Sequence, residues 1–193
     1  MKSGTNLHNV SRCSDYVHVD VHFVKATKQR PFHTLITSGM SDRPMRSPDG
    51  AEDYRYSELV ISLPPDWPLD KESLRDEQNW WPVRWLKKLA RFPHEYNTWM
   101  MWGHTIPNDD PPVPFAANTK LCCMLLCVPT LCDDAGWLLK INDSKSVRFH
   151  SLIPVYIKEL EFALKSGAEA LIEKLAVAGV TELLNLKRKN VCA

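Results

Sequence analysis

Glycine is scarce in this chain, seven in 193 residues, and no GxGxxG, Walker loop or GxSxG element occurs. Little backbone is therefore suited to cradling phosphate, and nucleotide chemistry is disfavoured. Long apolar runs are missing too. The N-terminus, MKSGTNLHNVSRCSDY, holds no apolar core of signal-peptide length, and the longest strongly apolar stretch, LCCMLLCV, falls far short of a bilayer span. A soluble, unexported, cytoplasmic protein is expected. Nor does charge of one sign dominate: 24 basic residues face 23 acidic ones, a formal charge of +1, so no overall field would gather nucleic acid or an anionic membrane. The six cysteines (Cys13, Cys122, Cys123, Cys127, Cys132, Cys192) contain no CxxC pair. Neighbours Cys122 and Cys123 point to opposite faces of a strand, so buried reduced thiols are expected rather than a disulfide framework or a zinc site.

At 193 residues the chain is long enough to bury a full core as one domain, a compact pair of subdomains being the alternative. VHVDVHFV alternates, with Val17, Val19, Val21 and Phe23 on one face and His18, Asp20 and His22 on the other. FHTLIT, after a short turn, predicts an antiparallel partner, and YSELVISL a third strand beyond a Gly/Pro/Ser-rich surface loop, SGMSDRPMRSPDGAED. Asp70 is placed to cap a short helix through Asn79, and Pro82 to open a second, PVRWLKKLARF, with a basic edge of Arg84, Lys87, Lys88 and Arg91. KLCCMLLCV, WLLKI and VRFHSLI predict three more strands, the first covered on both faces and the last two joined by a turn at Asn142–Ser144. Pro154 is expected to open a helix with a stripe of Ile157, Leu160 and Leu164, followed at once by another carrying Leu171 and Leu175 and ending before Gly179. The expected fold is therefore α+β: one domain with a mixed, largely antiparallel sheet of about six strands and helices packed on it.

The chemistry-bearing residues crowd into HEYNTWMMWGHTIPNDDPPVPF, His94–Phe115. HEYNT lacks the second histidine of HExxH, so the zinc-protease motif is absent. His18, Asp20 and His22 share a strand face, but alternate side chains stand about 6.5–7 Å apart and rarely converge on one ion, so a solvent-side polar face is favoured. Ser38 or Cys13 with His104 would be an arbitrary nucleophile–base pair. No metal or cofactor is implied. Trp99, Met100 and Trp102 beside the proline-rich loop Asn108–Ala116 combine large contact area with a stiff backbone, as an interface requires. If they lie on a strand, Trp99 and Trp102 face opposite sides, so at least one needs a cover outside the core. An enzyme drawing on His94, His104 and Asp109 is the competing expectation. Nucleic-acid binding through the basic helix edge is disfavoured, with Asp76 and Glu77 just upstream.

SGMSDRPM, SELVISLPPDWPL, WPVRWLKKLARFPHEYNTW and WGHTIP occur in an order that closely resembles the suppressor of fused family in its compact bacterial form. The resemblance spans about Tyr16 to Leu184. It implies a suppressor-of-fused-like domain 16–184 between a flexible segment 1–15 and a C-terminal tail 185–193, whose own residues read as short, basic and frayed. It also implies a non-enzymatic domain that sequesters or inhibits a protein partner: a zinc-finger transcription factor in the eukaryotic relatives, a polymorphic toxin for bacterial relatives acting as immunity proteins. A Tyr and an Asp of the eukaryotic form align approximately with Phe92 and Gly103, so that polar pair is missing here and the transcription-factor partner is not carried over. The expected partner-binding residues are Phe92, Tyr96, Asn97, Trp99, Trp102 and His104. The oligomeric state is not implied.

Overall fold

The computed structural model describes residues 17–131 and 137–193; segment 1–15, Cys13 and Cys132 lie outside them. Seven strands form one sheet: β1 (Asp20–Val24), β2 (His33–Ser38), β3 (Ser57–Leu63), β4 (Thr105–Pro107), β5 (Cys123–Cys127), β6 (Leu138–Asn142) and β7 (Lys145–Val155). Their order is β1-β2-β3-β7-β5-β4, with β6 beside the first half of β7. Only the β3/β7 pair is parallel, so the sheet is mixed and largely antiparallel, as expected. The strand added to the expected set is the short edge β4.

Three helices cover the two faces: α1 (Glu77–Glu95) on one side, α2 (Ile157–Ser166) and α3 (Ala168–Val177) on the other. The alternation of β5 makes this visible. Met124 and Leu126 join Trp81, Trp85, Leu86 and Leu89 of α1, whereas Cys123, Leu125 and Cys127 pack with Leu160, Leu171 and Leu175. The unbroken apolar run of β5 thus follows from its being covered twice. Burial pushes the thiols of Cys123 and Cys127 up, the latter to about 12, so they remain protonated core groups.

The helical region differs from expectation. Asp70 caps only a single 3-10 turn, Ser73–Arg75, through its Oδ1 and the Glu72 and Ser73 amides. Asp76 is the true cap: its Oδ1 accepts from Gln78 N at 2.9 Å, and one helix runs on past both Pro82 and Pro93. Pro82 has no N–H for the Gln78 carbonyl, and that carbonyl instead accepts from Asn118 Nδ2 at 3.2 Å. Two tryptophans anchor this helix: Trp81 and Trp85 are fully buried against Phe115, with ring centroids at 5.0 and 4.8 Å. The basic edge is no open track, for Lys87 is buried, Arg84 pairs with Glu77, and Lys88 lies 4.4 Å over the Trp85 ring.

At the C-terminal end, Pro154 belongs to β7, not to a helix, and α2 starts three residues later. The buried stripe of α2 is accordingly Leu160 with Ala163, while Ile157 and Leu164 face outward. The α2–α3 break at Gly167 falls where the sequence indicates. The tail differs most: Arg188 is packed into the fold rather than frayed.

Candidate partner-binding site

The end of α1 builds the site. Asn97 takes φ 51, the left-handed turn that commonly closes a helix, and Thr98 N returns to the Pro93 carbonyl at 2.9 Å. Asn97 thus has a backbone role. The chain then runs irregularly from Thr98 to His104 before entering β4, so the strand-parity rule does not apply to Trp99 and Trp102. Gly103, at φ 84, donates to the Leu126 carbonyl at 2.7 Å, and Leu126 N reaches the His104 carbonyl at 2.9 Å, docking the segment onto β5. A side chain at Gly103 would be strained.

Trp99 leans on the core beneath α1, and Met100, expected as a surface anchor, is itself buried. Phe92, Trp99 and His104, with Ile106 and Pro107, line a depression of about 500 Å³. The His104 ring meets Trp99 edge-on at 5.0 Å, and burial holds its pKa below the ordinary histidine value, favouring the neutral form. Tyr96 is 68% exposed and rests on Phe92 at a centroid distance of 4.8 Å. The edge of β4 is blunt: in its antiparallel ladder only Thr105 turns both N–H and C=O away from β5, and Pro107 has no N–H. Side chains, not a strand ladder, must supply most of any grip here.

Trp102 points elsewhere. Its Nε1 donates to Tyr54 Oη at 3.0 Å, and it lines a separate pocket of about 150 Å³ with Trp137, Arg148 and His150. Tyr54 is the hub: its ring lies 6.5 Å from Trp99, 6.1 Å from His150 and 5.0 Å from the Arg148 guanidinium, which also pairs with Asp53. Of the six expected residues, Phe92, Trp99 and His104 therefore meet in one depression, Tyr96 flanks it through Phe92, and Trp102 is joined to Trp99 through Tyr54. Tyr54, Arg148 and His150 escaped sequence reasoning. The two-residue spacing of Arg148 and His150 on β7 signals a shared face, but nothing local links them to a loop tyrosine.

The groups of the enzyme alternative do not meet here. His94 Nε2 is engaged with the Met40 carbonyl at 2.9 Å, and Asp109 Oδ1 accepts from Asp110 N in an exposed loop. His104 alone of the three lines the depression. Ser38 Oγ pairs with exposed His22 at 2.7 Å, and His18 with Asp20 at 3.4 Å. Among the described residues no group of three or more His, Cys, Asp or Glu could hold a metal ion.

His150 gives the site a pH dependence. Only 2% exposed, its imidazole is pushed down from 6.5 to about 4 by burial first and then by the Arg148 and His104 charges. The unfolded chain then binds the extra proton between these values, so stability is full above about pH 6.5 and falls as pH drops toward 4. Between pH 7 and 5 the expected loss from this group is about 2 kcal/mol. Urea unfolding at the two pH values measures it, and His150→Phe should remove most of the difference.

A profile of the family described as Suppressor of fused protein (SUFU) matches residues 15–189, and the chain belongs to that family. Three solved structures share the fold. A SUFU homologue from Neisseria gonorrhoeae FA 1090 is 18% identical at a TM-score of 0.64, over 98% of this chain and 86% of that one. The Sufu–Fu complex gives 16% identity and a TM-score of 0.58, over 90% of this chain and 76% of that one. Drosophila Suppressor of Fused gives 16% and 0.59, over 90% of this chain but 42% of its own. No curated protein matches the chain. Among the described residues no helix is long and apolar enough to cross a membrane.

Proposed function

We propose that this domain works by holding a protein partner in an inhibited complex, with Phe92, Tyr96, Trp99 and His104 as the contact surface. Family membership supports the broader part, a non-catalytic protein-binding domain, and one fold relative was crystallised as a complex with Fu. The observation that carries the placement is Tyr96, a large aromatic left 68% exposed beside an aromatic-walled depression. Aromatic side chains so placed are typical binding anchors, because they bring wide contact at low entropy cost. Asn97 shapes the turn, and Trp102 supports Trp99 from behind through Tyr54. The partner class that fits inhibition by a compact bacterial domain is a polymorphic toxin encoded beside the gene.

Co-expression with the product of the neighbouring reading frame and affinity measurement tests this. Tyr96→Ala and Trp99→Ala should each weaken the complex by about 2 kcal/mol, roughly thirtyfold. Unchanged affinity in both variants, with folding intact by circular dichroism, rejects the surface; a toxin that stays active in the complex rejects the immunity role.

A further inference from the structure

A second cavity lies away from that surface and shares no lining residue with it. It is an open groove of about 900 Å³. One wall is the turn after β3 with Trp67; the other is a nearly continuous run of chain, Ala178–Thr181 and Leu183–Lys189. Both walls are fixed. Trp67 Nε1 donates to the Asn79 carbonyl at 3.2 Å, Leu184 N to the Ser62 carbonyl at 2.8 Å, and Arg188 is locked to buried Glu159. A preformed groove of this size avoids the ordering cost that weakens flexible sites.

Its charge is lopsided. Arg188 is neutralised by Glu159, whereas Lys187 and Lys189 line the groove, exposed, with no ion pair among the described residues. The opposing acid is the single carboxylate of Asp66. Trp67 offers a half-buried aromatic wall, and the lining by successive residues 178–181 and 183–189 of one stretch of chain suits an extended segment laid along it. The geometry points to this groove as a second docking site, which takes an extended acidic segment of a partner protein.

Random dodecapeptides displayed on phage are selected on the full chain, and the winners are measured by fluorescence anisotropy. Acidic winners are expected, at least tenfold weaker on Lys187→Glu/Lys189→Glu and also on Ala178→Trp, which fills the groove without changing charge. Tyr96→Ala should leave their affinity unchanged, which separates this site from the surface proposed above. The proposal fails if the winners are neutral or basic, or if Ala178→Trp binds them as wild type does, which would mean diffuse charge attraction only. It also fails if free glutamate or inorganic phosphate displaces them at matched charge concentration, which would mark a small-anion site.

Discussion

Replacing Arg188 by alanine is expected to lower the unfolding free energy by about 3–5 kcal/mol, a large part of the roughly 5–15 kcal/mol typical of a domain. The reason lies in the sheet. β3 and β7 pair in parallel only from Ser57↔Arg148 to Val60↔Ser151, and beyond that they part. The C-terminal segment fills the fork: Leu183 bridges to Ser62 of β3, while Arg188 Nη2 donates to the Pro154 carbonyl of β7 at 2.9 Å. The same guanidinium meets Glu159 of α2 in a two-point pair, Nη1–Oε1 at 2.7 Å and Nη2–Oε2 at 2.5 Å. Glu159 is wholly buried, and its other contacts are the Tyr156 and Val191 amides. Alanine would leave that carboxylate in the interior without its cation, the costly way to break a buried pair. Urea unfolding of Arg188→Ala gives the number. The double variant Glu159→Leu/Arg188→Met removes both charges and should recover most of the loss. A single-variant cost below about 1 kcal/mol would mean that the pair behaves as a surface contact and the tail is not part of the fold.

The elements legible in the sequence are those whose cause is local. Val17, Val19 and Val21 alternate with exposed His18 and His22, and the pattern places β1, although the strand itself begins only at Asp20. β5 is legible as a doubly covered strand because no polar residue interrupts it. Arg188 was not legible, since in LKRKN it is one cation among three and its partner Glu159 is 29 positions away. The start of α1 is hidden because Pro82 is a good first-turn residue, and the Asn118 amide that lets it sit inside the helix comes from a distant loop. The site shows the same division. Phe92, Trp99 and His104 converge as sequence proximity indicates, but Tyr54, which ties Trp99 to Trp102, enters from a loop between β2 and β3. Met40 and Met45 of that loop are core residues, though SGMSDRPM reads as solvent-exposed.

That loop yields the other large effect. Gly39→Ala is expected to cost about 3 kcal/mol or more, from two separate causes. Gly39 sits at φ 105, a conformation in which any Cβ is strained. In addition, a Cβ there would lie 1.8 Å from the backbone carbonyl oxygen of His18, so the chain entering β1 would have to move. It cannot move freely. Asp20 pairs with Ser38 in the β1/β2 ladder, and the Gly39 and Ser41 amides both donate to Glu58 Oε1, at 3.0 and 2.9 Å, while Thr37 Oγ1 donates to Oε2 at 2.6 Å. Shifting the loop would strip donors from a carboxylate that is only 4% exposed and would lift fully buried Met40 out of the core. Gly50→Ala is the control, because Gly50 is also left-handed, at φ 86, but has nothing within 4 Å of the added methyl. It should lose only the conformational part, about 1–2 kcal/mol. Urea unfolding of the two variants side by side separates the causes: a clear excess for Gly39 measures the contact with His18, and equal losses would mean that β1 yields and the loop is not locked to it.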